Sequence, residues 1–338
     1  MKVTSSRSST PGPRAAEPVG VPGPILIGGL SHTGKTELRI ALDAHPHVTM
    51  TRGTGMWTKH YARYGDLSRR RNVRRCVAAL AHDRAVMSLG TDIERLRRDL
   101  GRGLATYARL FALVHEQHAE REGVPRWGDQ LRGVERHADQ IFAGWPDARM
   151  IHMVRDPRRR LAGMPRLRAS AGKLGWEAGR WVAAIELAAH HALRHRDRYL
   201  VVRYEDLLEQ PGSVMRHVSR FVGVDHDDAM LRALLATSAL IDHAASPVGG
   251  RPHDPFVRAF LEGSCADELR ALRYEVAAPR PDSPRSGARH LVNRAAMRVH
   301  RTRTGRRSAG DLGSSRARAL SEALDDPLRQ APVVEGET

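Results

Sequence analysis

The chain is 338 residues long and carries 55 Lys and Arg against 38 Asp and Glu, a formal net charge of +17 at pH 7, with 41% hydrophobic residues. That length and apolar content support a buried core and exclude a wholly disordered chain. The two cysteines, Cys76 and Cys265, belong to no C-x-x-C pair, which excludes a disulfide framework and a cysteine-ligated zinc site.

Residues 1–23 are rich in Ser, Pro, Gly and Ala and read as a disordered arm; they lack the apolar segment of a secretory signal. "PILIGG" (24–29) is a continuous apolar run, the pattern of a strand covered on both faces. It leads into "GGLSHTGKTEL" (28–38), which satisfies G-x-x-x-x-G-K-[ST] from Gly29 to Thr36, and then into a helical pattern. A strand, a Gly-rich turn and a helix start together form a nest of backbone N–H groups at the positive end of a helix dipole. The candidate anion ligands are therefore Ser31, His32, Thr33, Gly34, Lys35 and Thr36: Gly34 for close backbone approach, Lys35 for charge, Thr33 and Thr36 for hydroxyl donors. His45 ends this helix beside Pro46, a structural position.

"TMTRGTGMWTKHYARYGDL" (49–67) follows, mixing Arg52 and Lys59 with Trp57 and Tyr61. Helical spacing recurs in "RRCVAALAHD" (74–83), "GLATYARLFALVHEQHAE" (103–120) and "ERHADQIFAGW" (135–145). Before the segment "RMIHMV", "RWGDQLRGVER" (126–136) holds Asp129, whose residue type fits a helix N-cap beside a turn or a proton-accepting carboxylate. A second strand, "RMIHMV" (149–154), ends on Arg155 and a run of arginines, which suits an anion better than the Mg²⁺ of a triphosphate user.

"EAGRWVAAIELAAHHALRHR" (177–196) is a helix with Trp181 and Ile185 in core positions. His190, His191 and His195 on it read as surface or core polar residues, because no acidic ligand accompanies them at metal spacing. "YLVVRY" (199–204) is a third strand, followed by the helix "SVMRHVSRFVGV" (213–224). Residues 279–338 read as a basic, mostly disordered tail with short helices at 290–300 and 315–324. Strands alternating with helices predict one α/β domain over 24–278 with a central parallel sheet and right-handed crossovers.

Nearly all the positive charge is arginine, spread along the chain and often beside Asp or Glu, so it reads as a solvated surface. Aromatic residues are sparse and form no basic-aromatic motif, which argues against a specific nucleic-acid partner. No apolar run approaches the roughly 20 residues of a membrane span. Peripheral membrane contact stays open, and cytoplasmic residence is the expectation.

Several segments are recognisable together. "ILIGGLSHTGKTELRIALDAHPHV" resembles the 5′-phosphosulfate loop of the PAPS-dependent sulfotransferases of bacterial type, PAPS being 3′-phosphoadenosine 5′-phosphosulfate. "PDARMIHMVRDPRRRLAGM" is similar to their 3′-phosphate segment. "RYLVVRYEDLLEQPGSVMRHVSRFVGV" resembles their strand, "RYEDL" corner and following helix, and "GGRPHDPF" (249–256) is similar to their late Gly-Arg loop. The resemblance implies a P-loop-like three-layer α/β fold. It implies in-line transfer of a sulfuryl group from PAPS to a hydroxyl or amine of a carbohydrate, glycolipid or small metabolite, with no metal required. It assigns Lys35, the loop N–H groups and His32 to the charge developing at the 5′-phosphate, Arg155 to the 3′-phosphate, and Arg251 to closure over the nucleotide. Asp129 matches the family's acidic position as general base, and the segment at 49–67 lines the acceptor pocket.

The chain departs from the family at three places. His32 stands where Arg or Lys is usual, and Lys35, after the glycine, is the triphosphatase arrangement. Gln130 replaces a Lys. Gly163 occupies the position of a 3′-phosphate Ser and the next serine is Ser170, so either Arg158, Arg159 or Arg251 compensates or 3′-phosphate recognition is weaker than usual. A P-loop kinase acting on a small molecule and a non-enzymatic polyanion-binding module stay open as alternatives, as does the oligomeric state.

Overall fold

The computed structural model describes residues 23–162, 171–245, 255–277 and 287–305, together with positions 318, 320–322 and 324. Five strands occur among them: β1 (Ile25–Gly28), β2 (Val48–Thr51), β3 (Arg126–Gln130), β4 (Arg149–Val154) and β5 (Tyr199–Arg203). The helices, in chain order, are α1 (Lys35–Asp43), α2 (Arg70–Ala81), α3 (Arg84–Met87), α4 (Ile93–Gly101), α5 (Tyr107–Glu122), α6 (Ala138–Gly144) and α7 (Pro157–Ala162). They continue as α8 (Lys173–Arg194), α9 (Tyr204–Glu209), α10 (Pro211–Val222), α11 (Asp228–Ala245), α12 (Pro255–Ser264), α13 (Ala266–Ala271) and α14 (Ala288–Gly305).

The strands form one parallel sheet in the order β2-β3-β1-β4-β5, the α/β architecture expected. Alternation along the strands divides the core in two. Ile25, Ile27, Ile151, Met153, Leu200 and Val202 meet Leu38 and Leu42 of α1 and Met215 and Val218 of α10. Leu26, Met150 and Val201 turn to the other face, against Phe111 of α5, Ile141 of α6 and Trp181 and Ile185 of α8. Layers of helix on both faces explain why β1, β4 and β5 read as continuous apolar runs.

Two strands escaped the sequence reading. β2 is "VTMT" and β3 is "RWGDQ", whose Thr, Arg, Gly and Asp residues carry no apolar signature. Each is held by its neighbour: β3 lies between β2 and β1, with Leu26 opposite Asp129 and Ile27 opposite Gln130.

In the C-terminal segment the short helix expected at 290–300 is present within α14 and is packed, while most of 306–338 lies outside the described residues. α14 packs along α8, where Gly172, Gly175 and Gly179 open a groove of small residues. The Gly175 N–H donates to Asn293 Oδ1 at 2.9 Å, and the Trp176 and His300 rings meet edge to face at 4.6 Å. Leu320 and Leu324 are buried in the same core. Helix propensity alone does not reveal this, because α14 carries charged residues on its outer face and buries only a few side chains.

A Cβ at Gly175 would lie 1.8 Å from the Asn293 carbonyl oxygen. Gly175→Ala is expected to lower the unfolding free energy by about 1–3 kcal/mol through overpacking, read as a lower urea midpoint. An unchanged midpoint would show that α14 does not bear on α8.

Candidate functional site

β1 ends at Gly28, and the chain turns through Gly29 to Gly34 before α1 begins at Lys35. His32 and Gly34 both take the left-handed conformation, with φ of 64° and 83°. Gly34 is obligatory for a second reason: a Cβ there would lie 2.0 Å from the Tyr204 ring. Gly34 caps α1 without a side-chain hydrogen bond, so the first-turn N–H groups lack the partner a Ser or Asp cap supplies. The loop is braced internally by Thr33 Oγ1, which donates to the Leu30 carbonyl at 2.9 Å. From below, Glu135 Oε2 accepts the Gly29 N–H at 3.2 Å.

Lys35 is 7% exposed, and its ammonium folds into the loop, donating to the carbonyls of Gly29 at 2.7 Å and of Leu30. Burial, with the charges of Arg132 and Arg160 adding to it and Glu135 opposing, pulls its pKa down to about 8. His32 is exposed above the loop. Its pKa is lowered by burial and by the charges of Arg160, Arg155, Lys35 and Arg132.

Arg155 leaves the end of β4 on the same side of the sheet as this loop. Its Nη1 donates to the His32 carbonyl at 3.3 Å, and its guanidinium lies 4.5 Å from the centre of the Tyr204 ring. The two cationic elements are therefore contiguous. Trp181 Nε1 donates to the Arg155 carbonyl at 3.0 Å, and Tyr204 Oη donates to Glu37 Oε1 at 3.2 Å. Arg155 Nε is buried and unpartnered among the described residues. The "RYEDL" corner acquires a role here, since Glu205 accepts the Asp156 N–H at 3.0 Å and the Tyr274 hydroxyl at 2.8 Å.

A cavity of about 890 Å³ opens over the loop. Ser31, His32, Thr33, Gly34, Lys35, Thr36 and Arg155, all expected at the site, line it. Arg52, Lys59, Gln130 and Arg132 line its opposite flank. Arg251 lies outside the described residues, as do Gly163 and Ser170. Arg158 is spent on Asp156 and Glu262, each at 2.7 Å, and Arg159 lines a different cleft beside Leu208 and Leu234.

Asp129 requires correction. It sits within β3, not at a helix start, and is 0% exposed. Its Oδ1 accepts the Gly53 N–H at 3.0 Å, and its Oδ2 accepts the Thr54 N–H at 3.3 Å and the Thr54 hydroxyl. With its oxygens hydrogen-bonded to the turn after β2 and no solvent access, Asp129 positions that turn. The histidine reading changes as well. Asp139 of α6 brings its Oδ1 to 2.7 Å from His195 Nε2, an acidic partner supplied from another helix. Asp139, His191 and His195 form the one group of potential metal ligands among the described residues, away from the cavity. Arg194 Nε, 3.2 Å from the same Oδ1, already neutralises the carboxylate.

Glu135, Glu37 and Tyr204 are site residues the sequence reading missed. Tyr204 lay within the quoted "RYEDL" corner, whereas Glu135 reaches the loop from a 3₁₀ turn after β3 and has no local spacing to announce it. Among the described residues no helix is long and apolar enough to cross a membrane.

The family model described as "Sulfotransferase family" matches residues 24–228. Among solved structures, the chain is similar to the sulfotransferase domain of the olefin synthase from Synechococcus PCC 7002, with 22% identity, 82% of this chain and 94% of that chain covered, and a TM-score of 0.44. It is also similar to the sulfotransferase STF9 from Mycobacterium avium, with 13% identity, 76% and 79% covered, and a TM-score of 0.45. The sulfotransferase domain of the curacin biosynthetic pathway gives 14% identity, 76% and 99% covered, and a TM-score of 0.47. No curated protein matches the chain.

The state of Lys35 sets a pH dependence. Below about 8 its ammonium is charged in the free protein; above that it loses its proton, and a bound anion must restore it. Affinity for a phosphate-bearing ligand is therefore expected to fall as pH rises above about 8, by up to about tenfold per unit. Calorimetric titration with adenosine 3′,5′-bisphosphate from pH 7 to pH 9.5 checks it; a flat profile would show that Lys35 does not hold the anion.

Proposed function

The chain belongs to the sulfotransferase family, and from that premise we propose that it transfers a sulfuryl group from PAPS to a hydroxyl or amine of a carbohydrate, glycolipid or small metabolite. One observation carries this reading: the guanidinium of Arg155 and the ammonium loop of Lys35 face a single cavity from two strand ends, in contact through the His32 carbonyl. A donor with phosphates at two places needs such a pair. A triphosphate user needs an acidic strand end beside the loop to hold Mg²⁺. The carboxylate on the strand beside β1, Asp129, is consumed by Gly53 and Thr54.

In the reaction the acceptor oxygen or nitrogen bonds to sulfur while the bond from sulfur to the 5′-phosphate oxygen breaks. Negative charge gathers on that oxygen. Lys35 and the N–H groups at the start of α1 meet it, and fixed donors aimed at developing charge lower the barrier most. Arg155, with its unpartnered Nε, serves the 3′-phosphate. The acceptor's proton goes to His32, which is exposed at the cavity and neutral at pH 7 because its pKa is lowered below the ordinary imidazole value.

Lys35→Ala is expected to lower kcat by about 10²–10³, and Arg155→Ala to weaken adenosine 3′,5′-bisphosphate binding while affecting kcat less. Bisphosphate should bind tightly without metal; preference for ATP with Mg²⁺ would instead identify a kinase. Asn tolerates the left-handed backbone, so His32→Asn should keep the fold, lower kcat and remove the acidic limb of the rate profile, which lies below pH 6.5. Retention of that limb would assign the proton to another group.

A further inference from the structure

The sheet order divides the cavity. β1 and its loop lie in the middle, β4 with Arg155 on one side, and β3 and then β2 on the other. A nucleotide held by Lys35 and Arg155 therefore occupies the loop and the β4 flank. The β3 and β2 flank is left for the acceptor. Its lining comes from the chain just after those two strands: Arg52, Gly53, Thr58 and Lys59 after β2, and Gln130 to Arg132 at the end of β3.

The charge on this flank is unbalanced. Arg52 and Arg132 are both exposed, and neither pairs with a carboxylate among the described residues. Lys59 is held by Asp83 at 3.3 Å. The acidic residue of the lining, Glu37, takes the hydroxyl of Tyr204. Arg132 is close enough to depress the pKa of both Lys35 and His32, and Arg52 does the same to Arg39. These cations repel their neighbours, a local conflict that an anion would relieve. On and just after α4, by contrast, Arg95 pairs with Asp99 and Glu120, Arg97 with Glu94, and Arg102 with Asp99. Of the other side chains on this flank, Thr58 and Gln130 are polar and Leu131 is apolar.

We propose that the acceptor is itself an anion, a small polar molecule whose carboxylate or phosphate is held by Arg52 and Arg132 while its hydroxyl or amine faces the loop. This deepens the sulfotransfer reading and rests on it. The guanidinium groups supply charge-assisted, fork-shaped donors suited to either anionic group, and Gln130 and Thr58 supply neutral partners for further hydroxyls.

The test uses full-length protein saturated with adenosine 3′,5′-bisphosphate, which fills the donor side. It is titrated calorimetrically with glucuronate, glucose 6-phosphate and glucose. At least one of the two anionic sugars should bind about tenfold or more tightly than glucose, and which of them does so distinguishes a carboxylate from a phosphate. The Arg52→Gln, Arg132→Gln double variant should lose that preference, and the Arg52→Gln single variant should weaken it while its bisphosphate affinity stays within about twofold of wild type. Equal binding of charged and neutral sugars, binding of none, or a preference that survives the double variant overturns the anionic acceptor. Failure of wild type to bind the bisphosphate at all overturns the donor reading underneath it.

Discussion

The site depends on a cation folded into its own loop. The Lys35 ammonium has left water for the carbonyls of Gly29 and Leu30, and burial makes it a group that holds its proton less firmly than a surface lysine. A nearby negative charge would raise that pKa again and offset part of the lost hydration. The arrangement needs a backbone that turns left at His32 and Gly34, and it needs the Tyr204 ring where a side chain at position 34 would otherwise stand.

That loop is tied to the rest of the sheet by contacts far apart in the chain. Arg155 joins the end of β4 to the His32 carbonyl and stacks on Tyr204 at the end of β5. Trp181, from the core side of α8, fixes the Arg155 backbone. Beneath, Glu135 braces Gly29. A shift of α8 would thus be felt at Arg155, which links the packing of α14 in the glycine groove of α8 to the position of that residue.

Asp129 illustrates how a correct chemical type can be given the wrong task. A carboxylate before a turn suggests an N-cap or a base, and both readings assume an exposed side chain. Pairing of β3 between β1 and β2 buries it completely, and the turn carrying Arg52 to Gly55 then closes on its oxygens. Its contribution is to hold the turn after β2 in place. The histidines of α8 make the complementary point: their acidic partner, Asp139, lies on a helix 52 residues before His191 in the chain, where no spacing rule would look.

What could be read from the residues in order was whatever is built within one stretch of chain. The apolar runs of β1, β4 and β5, the phosphate-type turn, the helix that follows it and the Arg at the end of β4 are all of this kind, because continuous burial, positive φ and strand-end chemistry each leave a local mark. Tertiary structure alone decided the rest: that "VTMT" and "RWGDQ" are strands, that Asp129 is buried, that Glu135 supports the loop, and that Arg52 and Arg132 share a flank. The physical reason is that such strands are stabilised by hydrogen bonds and burial contributed by their neighbours. A side chain's role follows from the partners that those neighbours bring to it.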